Sequence, residues 1–181
     1  MSLTILKGTI VSAPALGRLE ITEGGYLVAE DGVIRGVFSA LPEQYAGAAV
    51  EDHGSDLILQ SFADLHLHAP QYPMRGMGMD LPLLDWLNTY AFPTEARFAD
   101  TDYARAVYRQ LAAELIENGT TRVCMFSSLH TDATLILMEE LERAGVTGYV
   151  GKVNMDRNSL PGVLEETTEQ SMAETLRWLE A

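Results

Sequence analysis

Cysteine is nearly absent: Cys124 is the single one in 181 residues. One thiol cannot close an internal disulfide, so the fold must rest on its apolar core, and a reducing compartment suits it. No run of about 18 apolar residues occurs, so no helical membrane span is expected. The opening Met1-Ser2-Leu3-Thr4-Ile5-Leu6-Lys7 lacks the charged leader, apolar stretch and cleavage site of a secretory signal. A cytoplasmic protein is therefore expected. Positive charge is scarce, with 12 Lys and Arg against 26 Asp and Glu and a net charge of −14. That balance repels nucleic acid and anionic membranes, and neither is expected as a partner. A small neutral or cationic ligand stays open. Histidines number only four, which makes their placement informative.

What is present is the balance of a globular protein: 47% hydrophobic and 21% charged residues, too apolar for a disordered chain. Residues 1–57 read as short strands. Glu30-Asp31-Gly32 separates Tyr26-Leu27-Val28-Ala29 from Val33-Ile34-Arg35-Gly36-Val37-Phe38, the pattern of a tight hairpin. From residue 58 onward helices and strands alternate. A short helix is expected over 81–90. A longer one is expected over 101–118, with Ala104, Tyr108, Ala112 and Ile116 in one row, Val107, Leu111 and Leu115 in the next, and Gly119 at its end. Thr120 to Phe126 reads as a buried strand. Thr131 or Asp132 is a candidate cap for a helix through Leu135, Met138 and Leu141, closed by Gly145. Val146 to Val153 reads as a third strand. A helix begins near Thr167, whose spacing to Gln170 is that of a capping box, and carries Met172, Leu176 and Leu179 on one side. Such alternation predicts an α/β fold with a parallel sheet. A doubly wound sheet and a (β/α) barrel both satisfy it.

The stretch FADLHLHAPQY, residues 62–72, carries the chemistry. Side chains alternate along a strand, so Asp64, His66 and His68 should share a face. Two histidines whose Cα atoms lie about 6.5 to 7 Å apart along a strand can turn their imidazoles onto one metal. Neutral imidazole suits zinc, iron or nickel. Asp64 could orient a ligand from behind. Ala69-Pro70 ends the strand, which places the histidines at its C-terminal end, where α/β folds build sites. The same pair could also be structural, and two ligands alone do not make a zinc site.

The wider context is more specific. DLHLHAPQYPMRGMGMDLPLLDWLNTYAFPTEARF resembles the amidohydrolase superfamily and, within it, the guanine deaminases. The resemblance continues through NGTTRVCMFSSLHTDAT (118–134) and GKVNMDRNS (151–159). HxH is common to the superfamily, whereas HAPQY, DLPLLDWL and the HTD after the second strand are closer to guanine deaminases. One departure is Gln60-Ser61, where the family usually has Pro-Gly.

What the resemblance implies is the first part of a (β/α)8 TIM-type metal-dependent hydrolase barrel, preceded by a small N-terminal β-domain. Residues 1–57 would belong to a composite β-sandwich domain, and residues 58–181 would form the first three βα units. His66 and His68 would be ligands of Zn2+, with Fe2+ as the alternative. His68, Ala69, Pro70 and Gln71 would bind the substrate, the Gln71 amide meeting the purine edge with its donor and acceptor. Leu84, Trp86 and His130 are candidates for the pocket wall. The reaction implied is hydrolysis of guanine to xanthine and ammonia by metal-activated water, with a carboxylate as proton carrier. The H-x-E and P-C-x-x-C type of deaminase is excluded by the single cysteine. The complete enzyme is expected to be a homodimer.

A barrel of this kind needs about 250 residues, and only three of its strands can be counted here. In the family, further ligands come from histidines on the fifth and sixth strands and an aspartate on the eighth, and the general acid/base glutamate follows the fifth-strand histidine. No catalytic residue is therefore expected among these 181, which read as an N-terminal portion inactive alone. The alternatives are another amidohydrolase acting on an aminated heterocycle and a non-catalytic truncated or interaction fragment.

Other residues carry weaker expectations. His130 could order its loop or approach the substrate. His53 should be solvated in a polar loop, Cys124 should sit in the core, and Glu165, Glu166 and Glu169 should form a solvated helix start. Met74, Met77 and Met79 could form a lid or pack on the rim. Arg75 could hold a carboxylate, with no partner nameable.

Overall fold

A computed structural model describes residues 2–181. The chain divides between Gln60 and Ser61 into two units.

The first unit is a four-stranded sheet of β1 (Leu3–Ala15), β2 (Arg18–Glu30), β3 (Val33–Phe38) and β4 (Glu51–Leu59), in the order β3-β2-β1-β4. β2 and β3 form the hairpin read from Asp-Gly. Asp31 and Gly32 take φ of 49° and 77°, the double left-handed turn that matches strand twist. The strands differ from the expected short ones: β1 and β2 run 13 residues each. Register shifts at Gly8/Ile10 and Ser12/Ala15 interrupt their ladder, and such bulges let a long pair twist. Glu51 to Gly54, expected as a polar loop, opens β4, and His53 Nε2 lies 3.2 Å from Glu51. Ile5, Val28 and Tyr45 make the core, backed by Tyr26, Phe38 and Leu41.

The second unit is α/β. Its sheet holds β5 (Phe62–His68), β6 (Thr120–Phe126) and β7 (Thr147–Gly151), all parallel and in chain order. Between β5 and β6 come a 3-10 turn (Ala69–Met74), the short helices α1 (Leu83–Trp86) and α2 (Phe92–Ala96), and α3 (Thr101–Glu117). One widened turn, Leu87–Ala91, joins α1 to α2, and Phe92 N–H bonds Leu87 O there. Pro93 supplies no N–H to the ladder, and the wide turn just before it absorbs the break. The helical stretch thus runs past the expected residue 90.

α4 (Thr131–Ala144) crosses from β6 to β7, and α5 (Thr168–Glu180) follows. Asp100 caps α3 by accepting from Asp102 and Tyr103 N–H. Thr167 caps α5 by accepting from Gln170 N–H at 3.1 Å. The cap position of α4 belongs to His130, without a side-chain bond, rather than to Thr131 or Asp132. Gly148 has no room for a Cβ, which would meet Val123 O at 1.9 Å, so glycine lets β7 close on β6.

One core joins α3, α4 and the sheet: Phe98, Ala104, Tyr108, Leu111 and Ala112 meet Val123 and Met125 of β6 and Ala133, Leu137 and Leu141 of α4. Alternation along β6 sends Val123 and Met125 inward and leaves Cys124 exposed on the other face. The expectation of a core cysteine is corrected by that period of two. On α4 the buried stripe is Ala133, Ile136, Leu137, Glu140 and Leu141, so Met138 is 43% exposed rather than inward. Met172, Leu176 and Leu179 share a side of α5, but nothing within these residues covers them: they are 64%, 59% and 67% exposed.

Two buried carboxylates tie the elements. Glu140 of α4 accepts from Arg105 at 2.9 Å and Arg143 at 2.7 Å, with Arg109 also beside it. Burial raises its pKa, but Arg109 and Arg105 outweigh that and hold it below the usual carboxylate range. Glu165 is not part of a solvated helix start: it is buried against Lys152, Oε1 to Nζ 3.0 Å, and accepts from Met155 N–H at 3.0 Å. The contact pins the loop after β7 to the end of that strand.

Candidate active site

β5 ends in the two histidines. Their rings stand edge to face with centroids 5.2 Å apart, and both lie against Phe126 at the end of β6, at 6.1 Å and 5.1 Å. His66 is exposed and His68 half-buried. Burial lowers the His68 pKa, and the charge of His66 lowers it further. Both effects favour the neutral imidazole that a metal ligand must be.

The ladder between β5 and β6 slips between Asp64 and Leu67. The Asp64 carboxylate fills that irregularity by accepting from the His66 backbone N–H at 3.1 Å. It therefore shapes the strand that carries the histidines, and no bond from it to an imidazole is formed. That differs from the expected orientation of a ring, because the bulge breaks the strict alternation on which the expectation rested.

After His68 the chain turns tightly. Ala69 joins the core, Pro70 is buried with it, and Gln71 comes back to the pocket side. A pocket of about 500 Å3 is lined by His66, His68, Gln71, Tyr72, Met74, Arg75, Met77, Met79 and Trp86, and continues to Glu114 and Asn118 of α3. The structure thus brings His66, His68 and Gln71 together, while Ala69 and Pro70 sit behind them. Trp86 belongs to the wall and is fixed by its Nε1–H to Met77 O at 2.9 Å. Leu84 does not line that pocket and is 70% exposed, since residues two apart on a helix face different ways. His130 lines a separate hollow with Thr131, Glu165 and Arg177. Its pKa is lowered by burial and then by Lys152.

Sequence reading missed two groups. Glu95, only 7% exposed, accepts from Gln71 Nε2 at 2.9 Å. Burial raises its pKa, and the Gln71 N–H counters that rise. A signal existed: Ala91, Phe92 and Glu95 fall on one buried helical row, and a carboxylate on an apolar row needs a partner. The second is the partner of Arg75. Arg75 Nη1 reaches Glu114 Oε2 at 2.7 Å and its guanidinium lies 3.9 Å over the Tyr72 ring, whose hydroxyl also donates to Glu114. That network fastens the pocket loop to α3. Its partner lies 39 residues away, beyond what local spacing reveals.

The donor set fits part of a metal centre. The histidine pair offers two nitrogens at a strand end, but among the described residues no three His, Cys, Asp or Glu side chains converge. Two ligands must be completed from elsewhere for a tetrahedral zinc site.

Residues 57–181 match the amidohydrolase family. The chain is 47% identical over 124 residues to a guanine deaminase of Rattus norvegicus, which covers 68% of this chain and 27% of that protein. It is 34% identical over 196 residues to a guanine deaminase of Dictyostelium discoideum, covering 97% of this chain and 43% of the other. The crystal structure of the C. acetobutylicum guanine deaminase, with guanine bound in its active site, superposes with a TM-score of 0.92 at 41% identity, covering 99% of this chain and 42% of that one. The chain therefore spans less than half the length of these relatives.

Proposed function

The chain belongs to the amidohydrolase family, and from that membership we propose that the whole protein is a guanine deaminase, hydrolysing guanine to xanthine and ammonia. The observation that carries the reading is the convergence of His66, His68 and Gln71 on one pocket. It is supported by similarity to guanine deaminases across the same residues.

In this reading His66 and His68 hold a zinc ion, with iron as the alternative. When bound, the metal activates the hydrolytic water at neutral pH. Water adds across the ring C=N bond at the carbon bearing the amino group, one of its protons passing to the ring nitrogen; the bond to the amino group then breaks, and ammonia leaves with the remaining hydroxyl proton as the carbonyl forms. Gln71 aligns the purine edge, and Trp86 with Met77 shields one side of the ring from solvent. His68, beside Gln71, contributes to both metal and purine binding, and the Ala69–Pro70 backbone sets the spacing between them. Among the described residues no carboxylate completes the histidine pair, so the proton carrier and remaining ligands are assigned to other parts of the protein. Three parallel strands in chain order, with α3 and α4 against one face, fit the first units of a (β/α)8 barrel, the reading that membership of the amidohydrolase family favours over half of a doubly wound sheet. The first sheet would contribute to a composite β-sandwich domain. Among the described residues no helix is long and apolar enough to cross a membrane. An exposed free Cys124 fits a reducing cytoplasm, and a homodimer is the assembly proposed for the complete enzyme.

The test is product analysis on the full-length protein reconstituted with zinc. Xanthine and ammonia should appear in equal amounts from guanine. Competing cytosine or aminotriazine, supplied at equal concentration, should be left behind. Preferential loss of either competitor would replace guanine with a different aminated heterocycle.

A further inference from the structure

Glu95 has no role in the chemistry above, yet it is a buried carboxylate one hydrogen bond from the pocket. It sits on α2 at 7% exposure, and the partner of its Oε1 is Gln71 Nε2 at 2.9 Å. In that bond Glu95 Oε1 is the acceptor and the Gln71 amide the donor, and an oxygen that carries no proton can only accept. It therefore decides which way the Gln71 amide lies, a choice that the amide's near-symmetric shape would leave open. One N–H is taken by Glu95. The carbonyl Oε1 is turned away from Glu95, and Gln71 borders the pocket.

We infer that Glu95 is a positioning residue that locks the Gln71 amide so that Oε1 serves the pocket as an acceptor, making the site select a ring edge that carries an N–H. The inference rests on the deaminase reading and deepens it, by naming what the ligand must offer. Guanine has such ring and exocyclic N–H groups. A ring that presents only acceptors at that edge would face Oε1 with lone pairs on both sides.

The test is a double-mutant cycle in the zinc-loaded, full-length protein with guanine as substrate. Glu95→Gln keeps the shape but can donate as well as accept, so the Gln71 amide is free to turn over. It should raise KM by about 10-fold, the upper end of the scale for one hydrogen bond between neutral groups, and change kcat by less than about threefold. Gln71→Ala should raise KM comparably. In the Gln71→Ala background Glu95→Gln should add less than about twofold, because its effect passes through the amide. A purely structural Glu95 would multiply the two effects, or lower Tm with KM unmoved, and either result overturns the inference. An exchange variant keeps the test decisive if Glu95→Gln folds poorly. Gln71→Glu alone sets two carboxylates face to face. Adding Glu95→Gln to it restores an amide–carboxylate pair, and should recover KM by at least about threefold. No recovery overturns the inference. A parent protein that turns over guanine while the cycle is multiplicative removes only the role of Glu95. A parent with no guanine turnover removes the deaminase reading and this inference together.

Discussion

His68→Ala in the full-length protein is expected to cost more than about 100-fold in kcat/KM for guanine, with loss of bound metal. The reasoning is a lower bound. Groups that merely orient a metal ligand are worth about 10- to 100-fold, and His68 is assigned to the metal itself, in a half-buried position that favours its neutral form. His66→Ala should do the same. Asp64→Asn should not, and should stay within about 10-fold of the parent. Its side-chain oxygen can still accept from the His66 backbone N–H, which is what Asp64 does at 3.1 Å. Steady-state kinetics with metal analysis on the three variants separates the cases. Retained metal and turnover in His68→Ala would remove the histidine pair from the chemistry. A collapse in Asp64→Asn would return Asp64 to the metal.

The largest stability effect is expected at Lys152. Its side chain is fully buried and that of Glu165 is 3% exposed, with 3.0 Å between Nζ and Oε1. Lys152→Met would leave Glu165 charged and without its cation in the interior, a change that costs about 3–5 kcal/mol when a buried pair is broken from one side. Lys152 also donates to Val153 O and Asn154 Oδ1 at 3.1 Å each, so the loop after β7 should loosen first. Urea unfolding near neutral pH measures the loss.

The pH dependence carries a sign. Burial pushes the Glu165 pKa up, but Ser171, Lys152 and the Met155 N–H together bring it below the ordinary carboxylate value. A depressed pKa contributes stability above the unfolded carboxylate pKa and loses it as pH falls through the folded value. Lys152→Met removes two of the influences that lower it, the Lys152 hydrogen bond and the Lys152 charge, so the anion is held less well than in the parent. The gap between parent and variant should therefore narrow as the pH is lowered toward 4. A gap that is constant with pH would mean that the loss comes from packing rather than charge.

Where the period of the sequence met an ordinary environment, the fold was legible. Of the row Ala104, Tyr108, Ala112 and Ile116 the first three face the core while Ile116 at the helix end is 39% exposed, and the Asp31-Gly32 turn, the Thr167 cap and the ends at Gly119 and Gly145 stand where local chemistry puts them. Errors arose where tertiary context chose between two faces. Cys124 is apolar enough for a core, but its parity on β6 puts it on the face opposite Val123 and Met125. Glu165 looked like part of an acidic helix start, and only the fold brings Lys152 to it across 13 residues.

The site divides in the same way. His66 and His68 are two residues apart in sequence and need only a strand to be brought together. Gln71 becomes part of the site through a tight turn that buries Ala69 and Pro70. Glu95 and Glu114 reach it from α2 and α3, 24 and 42 residues from Gln71 and Tyr72, and no short motif announces a partner at such distances. Leu84 and Trp86 show the limit of motif reading on a helix, since one of the two lines the pocket and the other is exposed.

A metal held by the histidine pair at the end of β5 would be visible in anomalous scattering from crystals of the full-length protein, collected on both sides of the zinc edge with guanine present. One peak is expected about 2.0–2.1 Å from a ring nitrogen of each of His66 and His68, with guanine beside Gln71. A metal bound elsewhere, with both imidazoles free, would contradict it.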